Sequence, residues 1–414
     1  MTWELERLLR SEAAGDMLSS ALASGGLNLE SWRLHRVYSR PLKDGVTSEV
    51  SARFQVRAQG RELTLVASSR ELQPDQRQAL GAVRADSAAG RLHIWVHPAD
   101  PQLPGLQVVE DPVALARHLE PVLGAQVQVR AVEMLVLRPL RRAVYRVQVD
   151  SRQFNPELGN RVLFVKVVRP GKAALLLRRW AACSLAPRAA DAGQGLIVTE
   201  AAAGRSLTEL LHRPSSPQPG MRISPQAVLS ALDSLEAEAV QLPPREPPAA
   251  RHRSFLEPLV AAGAQRPRLQ RLTRSITAEL LAAPGPVVPT HGDFHPANLF
   301  LTPDGTRPAA LIDADTVGPG YRADDVAMFF AHLLALPSFD AAGYADVPVL
   351  IRQLWEAVRY DGDAADLPAR IAACLLSLAP GARSGSQLEH YISTAEALVN
   401  RDQSHRVSSK FTAP

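Results

Sequence analysis

THGDFHPANLF, residues 290–300, places an aspartate, two histidines and an asparagine around one short loop. The apolar segments VVPTHG and AALIDAD enclose this loop and predict two short strands. Aspartate and asparagine are common in exposed turns, where their side chains bond to the local backbone. The loop is therefore either a polar turn or a catalytic centre, and the rest of the chain decides between these interpretations.

Phosphoryl transfer depends mainly on positioning the reactants and neutralising their charge. It needs an aspartate facing the attacking hydroxyl, hard oxygen ligands for Mg²⁺, and a lysine at the nucleotide phosphates. The sequence offers Asp293, then Asn298 five positions later, and Asp313 at the end of the next predicted strand. Lys166 in LFVKVV supplies the lysine. These four residues favour a catalytic centre over a polar turn.

Lysine is rare in this chain and occurs only at positions 43, 166, 172 and 410, whereas arginine is abundant. A strand lysine is most often a solvated side chain. The rarity of lysine and the apolar neighbours of Lys166 favour a function for it.

The predicted secondary structure divides the chain into several parts. The segments VQVRAVEMLVL, AVYRVQV and RVLFVKVV predict three consecutive antiparallel strands, followed by the helix GKAALLLRRWAACSLA, which Trp180 anchors. Helical periodicity dominates after residue 205, including one helix over PQAVLSALDSLEAEAVQL. The predicted domains are an α+β cap (1–125), a sheet-containing lobe (126–204), a helical lobe (205–400) and a flexible tail (401–414).

The N-terminal segment predicts its own strands from Trp32 to about Arg70, and a later helix capped by Asp111. Its segment RPLKDGVTSEVSARFQV with ELTLVASSR is similar to RPLRRAVYRVQV with LFVKVVR, which sets Ala67 opposite Lys166. The similarity is either an internal duplication or chance, since amphipathic hairpins share a generic pattern. If it is a duplication, the first sheet lacks the lysine and is non-catalytic.

HGDFHPAN, followed by LIDAD and DDVA, resembles the aminoglycoside phosphotransferase and choline kinase family, which has a protein-kinase-like fold. The resemblance covers about residues 127–400. It implies an α+β, bilobal fold with a small antiparallel-sheet N-lobe and a mostly helical C-lobe. Residues 1–125 would be an additional N-terminal α+β cap domain.

The resemblance implies a role for each matching residue. Asp293 would be the catalytic base, Asn298 and Asp313 would hold Mg²⁺, and Lys166 would bind the α- and β-phosphates of ATP. The segment from Glu200 to Gly204 would be the hinge that binds adenine through backbone groups.

Four further residues have supporting roles in the resemblance. His291 would tie the catalytic loop to the metal-binding strand, and Asp325 would support the loop, with Asp324 as its rival. His295 is expected to face solvent or substrate, because a histidine zinc site needs partners that the sequence does not offer. Asp315 is expected to lie near the metal without binding it.

Two features depart from the family pattern. The loop RPLRR between the first two strands of the second sheet contains no glycine, so close backbone approach to phosphates is not expected there. The helix after Lys166 contains no glutamate to pair with it. These departures leave a pseudokinase or nucleotide-binding regulator as the alternative, and a scaffold that binds no nucleotide as a third hypothesis.

Composition excludes other classes. The net charge is +4, but arginines are scattered and aromatic residues make up 5%, so nucleic-acid binding is not indicated. Two distant cysteines exclude a disulfide framework and a cysteine zinc site. The sequence contains no window of about 18 uncharged apolar residues, so a membrane span is not predicted. The charged N-terminus predicts a cytoplasmic protein.

The expected function is ATP- and Mg²⁺-dependent O-phosphotransfer to a small-molecule hydroxyl. Residues 205–290 contain ten arginines and seven acidic residues, which does not favour a polycationic acceptor, whereas acidic residues gather in YDGDAAD at 360–366. A sugar or amino sugar is the first expectation, an aminoglycoside or aminoalcohol the second, and a hydroxyl amino acid the third.

Overall fold

A computed structural model describes residues 2–41, 48–151, 159–213, 223–280, 285–359 and 366–400. The predicted tail and the acidic residues 360–365 lie outside the described residues. The chain divides into two compact units. The first comprises the residues up to Leu175 together with Ala189–Ala201, and the second comprises Leu176–Arg188 and the residues from Ala202 onward.

The described part of the first unit contains two five-stranded antiparallel sheets. The first sheet has the order β1-β2-β3-β5-β4, with β1 (Leu29–Pro41), β2 (Ser48–Ala58), β3 (Arg61–Ser68), β4 (Val83–Ser87) and β5 (Gly90–Val96). The second has the order β6-β7-β8-β10-β9, with β6 (Gln128–Arg138), β7 (Arg142–Asp150), β8 (Asn160–Val168), β9 (Ala189–Asp191) and β10 (Leu196–Glu200).

Helices precede each sheet and follow its third strand. They are α1 (Thr2–Leu9), α2 (Ala13–Ala23), α3 (Pro74–Leu80), α4 (Gly105–Val109), α5 (Pro112–Leu123) and α6 (Pro170–Ala181). The predicted cap of α5 is confirmed, because Asp111 Oδ1 accepts hydrogen bonds from the amides of Val113 at 2.9 Å and Ala114 at 3.2 Å. Capping satisfies amide groups that have no partner inside the helix.

The two sheets therefore share strand order, and each has a helix after its third strand, which agrees with a duplication. The proposed alignment of Ala67 with Lys166 is nevertheless wrong. Ala67 packs in the core that α1 and α2 cover, whereas the corresponding core of the second sheet contains Val165 and Val167. Because alternate strand residues face opposite sides, Lys166 lies on the other face. β3 contains no lysine on either face.

The described strands of the second unit are short. One sheet has the order β11-β13-β14 and another pairs β12 with β15. The strands are β11 (Arg205–Ser206), β12 (Val288–Thr290), β13 (Leu299–Leu301), β14 (Pro308–Leu311) and β15 (Gly318–Gly320). The helices are α7 (Leu207–Leu211), α8 (Pro225–Leu229), α9 (Leu256–Ala261), α10 (Arg266–Glu279), α11 (Arg322–Ala335), α12 (Val347–Arg359), α13 (Leu367–Leu378) and α14 (Gly385–Val399).

The predicted single helix over residues 225–242 is wrong. α8 ends at Leu229, and two short 3₁₀ segments, Ser230–Ser234 and Ala237–Gln241, follow it. Between them Leu235 forms an isolated antiparallel bridge with Cys183, and the Glu236 amide donates to the Ala182 carbonyl at 3.0 Å. These tertiary hydrogen bonds replace helical ones, so the local helical pattern does not decide the backbone here.

The expected fold class is confirmed: the chain is α+β, with small antiparallel sheets in the first unit and mostly helices in the second. In the second unit α13 is almost wholly buried, from Ile371 through Leu376, and lies against α11 and α14. This helical core supports the N-terminal end of α11, which contacts the loop at 290–300. In the described ranges, no helix has both the length and the apolar composition needed to cross a bilayer.

Candidate active site

The loop that follows β12 is held through its backbone by one buried carboxylate. Asp325, in the first turn of α11, accepts hydrogen bonds from the His291 amide through Oδ2 and from the Gly292 amide through Oδ1, each at 2.7 Å. Asp325 is 2% exposed, and burial raises its pKa from the ordinary value of 3.8 to about 7, although the two amides act in the opposite direction. Gly292 has a φ of +75°, and a Cβ there would lie 3.1 Å from Thr316. The loop therefore starts in a fixed, tightly packed turn.

His291 ties this loop to the segment that follows β14 and carries Asp313, as the resemblance implied. Its ring is fully buried, and Nε2 donates a hydrogen bond to the Ile312 carbonyl at 3.1 Å. The Thr316 hydroxyl donates to the His291 carbonyl at 2.6 Å. Burial lowers the pKa of His291, so the ring is a neutral, structural group.

Asn298 and Asp313 are brought together by the pairing of β13 with β14. The Ile312 amide donates to the Asn298 carbonyl at 2.9 Å, one residue before Asp313. Asn298 is 6% exposed, and its Nδ2 donates to the Asp293 carbonyl at 2.9 Å, so its Oδ1 remains the acceptor of the amide. Asp313 has φ 57° and ψ 42°, a left-handed conformation that aspartate tolerates better than most residues.

Asp293 differs from its neighbours because its side chain is 40% exposed. The next residue, Phe294, is fully buried and stacks on Phe329 of α11, with ring centroids 4.8 Å apart. His291 and Phe294 thus anchor the loop on the core side. The backbone of Asp293 is held by Asn298, while its carboxylate is left at the surface of the unit.

His295 contacts a second histidine that the sequence did not predict as part of the site. Its ring stacks on His332 of α11, with centroids 4.3 Å apart and an interplanar angle of 16°. His295 is 17% exposed, and its Nε2 lies 4.0 Å from Asp293 Oδ2. Burial lowers the pKa of both rings, that of His332 to about 3, so the pair is neutral. No local pattern around His332 signals this contact, since it depends on the packing of α11.

The two adjacent aspartates of α11 have different partners, which decides between them. Asp324 accepts a hydrogen bond from Arg370 Nη1 at 2.6 Å, and Arg370 also pairs with Asp366 at 2.9 Å. Of the two, Asp325 is the one that accepts hydrogen bonds from the loop at 290–300. Asp315, which was not expected to be a ligand, accepts a 2.8 Å hydrogen bond from the indole of Trp180.

The remaining predicted residues lie in the first unit. Lys166 on β8 is 9% exposed and pairs with Val144 on β7 and Ile197 on β10. Glu200 is the last residue of β10, and its carboxylate lies 3.4 Å from Arg161. The pairing of β8 with β10 thus brings Lys166 and Glu200 into one sheet. Asp293, Asn298 and Asp313 belong together in the second unit.

The donor atoms at Asn298 and Asp313 fit Mg²⁺. One amide oxygen and one carboxylate are hard ligands, and Mg²⁺ is usually held by one or two such groups plus substrate phosphates and water. Among the residues that the structure describes, no group of three or more His, Cys, Asp or Glu side chains is arranged to hold a metal.

Comparison with known proteins identifies the family. The model of the phosphotransferase enzyme family APH matches residues 145–360, just over half of the chain, which confirms the predicted enzyme class, a phosphotransferase. None of the curated proteins matches the sequence.

The solved structures to which the chain is similar include the following three. A choline/ethanolamine kinase family protein from Mesorhizobium loti is 17% identical (TM-score 0.44; 68% of this chain and 93% of that chain covered). A thermostable mutant of the aminoglycoside phosphotransferase APH(4)-Ia is 14% identical (TM-score 0.47; 69% of this chain and 98% of that chain covered). The macrolide 2'-phosphotransferase MphH from Brachybacterium faecium is 18% identical (TM-score 0.37; 70% of this chain and 98% of that chain covered). The assignment rests on the family model: the chain belongs to the APH phosphotransferase enzyme family.

Proposed function

We propose that this protein is an ATP- and Mg²⁺-dependent O-phosphotransferase that acts on a hydroxyl group of a small molecule. The observation that carries the proposal is the loop at 291–298. Its backbone is fixed by Asp325 and Asn298, yet the Asp293 carboxylate stays at the surface. Fixing a base in position before the substrate binds is the main protein contribution to such reactions.

In the proposed reaction, the acceptor oxygen attacks the γ-phosphorus of ATP while its proton passes to the Asp293 carboxylate. The new phosphorus–oxygen bond forms as the bond between the γ-phosphorus and the β–γ bridging oxygen breaks, and ADP leaves. His295, 4.0 Å from Asp293, bounds the side of the carboxylate on which the acceptor binds.

Asn298 Oδ1 and the Asp313 carboxylate would hold Mg²⁺, which neutralises phosphate charge when it is bound. Lys166 would contact the α- and β-phosphates through its ammonium group, and the backbone from Glu200 onward would bind the adenine. The position of Lys166 supports this role, because β8 pairs with β10, the strand that ends at Glu200.

For the acceptor we propose a sugar or amino sugar first, and an aminoglycoside or aminoalcohol second. Asp366, the only described member of the acidic segment 360–366, is 2% exposed and pairs with Arg370, so its charge is not available to a cationic acceptor. We expect the reaction to take place in the cytoplasm, where ATP is available.

The proposal is tested by calorimetric titration of ATP with and without Mg²⁺, on the wild type and on Asp313→Ala. We expect Mg²⁺-dependent binding that is weakened at least about tenfold in the variant, because one of two protein ligands is lost. A panel of hydroxyl acceptors then measures transfer. Absence of ATP binding by the wild type would refute the proposal.

The regulatory alternative predicts ATP binding without transfer to any acceptor. The observation that favours it is that α6 contains no carboxylate with which to orient Lys166. Turnover with any acceptor in the panel would exclude it.

A further inference from the structure

The turn between β6 and β7 has a conformation that its own sequence does not favour. It consists of Pro139, Leu140 and Arg141, and Leu140 has a φ of +63°. The Arg141 amide donates to the Arg138 carbonyl at 3.0 Å, so Leu140 is the third residue of a β-turn, and a positive φ at that position favours glycine or asparagine. Groups outside the turn must therefore hold Leu140 in place.

Two side chains hold the backbone of Leu140. Its amide donates to Asp100 Oδ2 at 2.8 Å, and the other oxygen of Asp100 accepts from the Gln102 amide at 2.8 Å. The Leu140 carbonyl accepts from Arg169 through Nε at 3.2 Å and Nη2 at 2.9 Å. Asp100 is 8% exposed, so little water competes for these bonds.

The side chain of Leu140 is also anchored by the N-terminal segment. It is fully buried and packs in a cluster with Val66, Leu72 and Trp95, which belong to the first sheet and the segment that follows β3. Nearby, the Tyr38 hydroxyl donates to the Leu137 carbonyl at 2.7 Å. Tyr38, Asp100 and the buried residues of this cluster thus connect the N-terminal segment to the turn and to the end of β6.

We infer that the N-terminal segment positions the β6–β7 turn for nucleotide binding, and that Asp100 and Leu140 are positioning residues. This inference rests on the proposed function. Arg141 lies in the turn, and Arg138 and Arg142 are the strand residues on either side of it. Two residues further along β7, Val144 pairs directly with Lys166. A turn that is already ordered has little conformational freedom to lose when phosphates bind, which favours affinity. We call the Asp100 and Arg169 side chains the clamp. They stabilise the positive φ of Leu140 in a turn that contains no glycine.

The experiment uses the full chain with Asp100→Ala, Asp100→Asn and Leu140→Gly, and with Asp75→Ala as the control. Asp75 is an exposed carboxylate in the first turn of α3 of the same unit. Amide hydrogen exchange over residues 137–143 reports the order of the turn and needs no ligand. ATP titration, KM for ATP and kcat report nucleotide binding and chemistry, and thermal unfolding identifies variants that fail to fold.

We expect Asp100→Ala and Leu140→Gly to accelerate exchange in the turn and to weaken ATP binding about tenfold, while kcat changes by less than about threefold. Asp100→Asn keeps an acceptor oxygen for the Leu140 amide and should restore most of the affinity. Asp75→Ala should behave as the wild type.

Different results overturn different statements. Unchanged exchange in both Asp100→Ala and Leu140→Gly would show that the turn is not clamped. Faster exchange with wild-type ATP affinity would show that the clamp does not serve nucleotide binding. Either result overturns this inference alone, since the wild type still binds ATP. A wild type that binds no ATP would overturn the proposed function and this inference with it.

Discussion

In the loop at 291–298, the proposed catalytic base Asp293 and the residues that hold the loop differ in solvent exposure. His291 and Phe294 are fully buried, and Asn298 is 6% exposed, whereas the Asp293 side chain is 40% exposed. The buried residues bear the packing and hydrogen bonds that fix the loop. A substitution at Asp293 should therefore change the reaction with little effect on the fold.

We predict that Asp293→Asn lowers kcat by at least about 100-fold, because the amide cannot accept the acceptor proton. ATP affinity should remain within about twofold of the wild type, since Asp293 acts on the acceptor. Steady-state kinetics and ATP calorimetry measure the two quantities. The matched control is Asp304→Asn, at an exposed carboxylate in the turn after β13, which should retain full turnover. Wild-type turnover in Asp293→Asn would mean that another group is the base.

Asp325 should make the stability of the protein depend on pH. Its pKa in the folded protein, about 7, is above its ordinary value of 3.8, so the folded state binds the proton more tightly than the unfolded state. This contribution to stability is complete below about pH 4 and is lost as pH rises to about 7. Its magnitude is at most about 4 kcal/mol.

The measurement is urea unfolding of the wild type and Asp325→Asn at several pH values between 4 and 8. Because asparagine does not ionise, the wild type should lose stability relative to the variant as pH rises through this range. Asp233→Asn, at a carboxylate that is 65% exposed, is the control and should show a nearly constant difference. A constant difference for Asp325→Asn as well would contradict the raised pKa.

At the scale of elements, the α6 helix contributes to the site through Trp180. Its indole donates a 2.8 Å hydrogen bond to Asp315, in the 3₁₀ turn Ala314–Thr316 that follows Asp313. The sequence predicted Trp180 as an apolar anchor of the helix. The residue is buried, at 6% exposure, but it also has a polar partner, as buried indoles usually do.

Trp180→Phe should lower the free energy of unfolding by about 1.5–3 kcal/mol, because it removes a hydrogen bond to a carboxylate. Trp355→Phe is the control, since Trp355 is partly buried and contacts Phe330 edge-on through its ring. Chemical unfolding of both variants gives the comparison. Equal losses would mean that ring volume explains the effect.

Several elements were predictable because their signals are local. The sequences of β6, β7 and β8 either alternate between apolar and polar residues or are mostly apolar, which predicts strands. Asp111 precedes a proline, which predicts the start of a helix. In both cases neighbouring residues suffice for the prediction. The break after α8 was not predictable, since it depends on a bridge between Leu235 and the distant Cys183. The choice between Asp324 and Asp325 likewise depends on which way α11 packs, because adjacent helical residues point about 100° apart.

At the scale of the whole molecule, an ion-pair network in the second unit connects α10 to α14, the last described helix. Arg268 of α10 binds Glu389 and Glu396 of α14 through four hydrogen bonds of 2.7–2.8 Å. Its side chain is only 24% exposed. Bidentate pairs of this kind are stronger than ordinary surface ion pairs.

We predict that Arg268→Ala lowers the free energy of unfolding by about 1–3 kcal/mol, and that high salt reduces this difference. Arg271→Ala, at an exposed position of the same helix, should change stability by less than about 0.5 kcal/mol. Urea unfolding at low and high ionic strength tests both. A salt-independent loss would indicate that packing of the arginine stem causes the effect.

The sequence by itself was sufficient to predict the family and the enzyme class of this protein. Asp293, Asn298 and Asp313 are close in the chain, in segments that flank short, locally paired strands, so their spacing is sufficient to predict the loop and the family. Tertiary structure alone decided that Asp325, and not Asp324, bonds to the loop, that His332 stacks on His295, and that Asp100 bonds to the Leu140 turn. These contacts join residues 33 to 40 positions apart, and packing of whole helices and sheets sets them, so no local pattern encodes them.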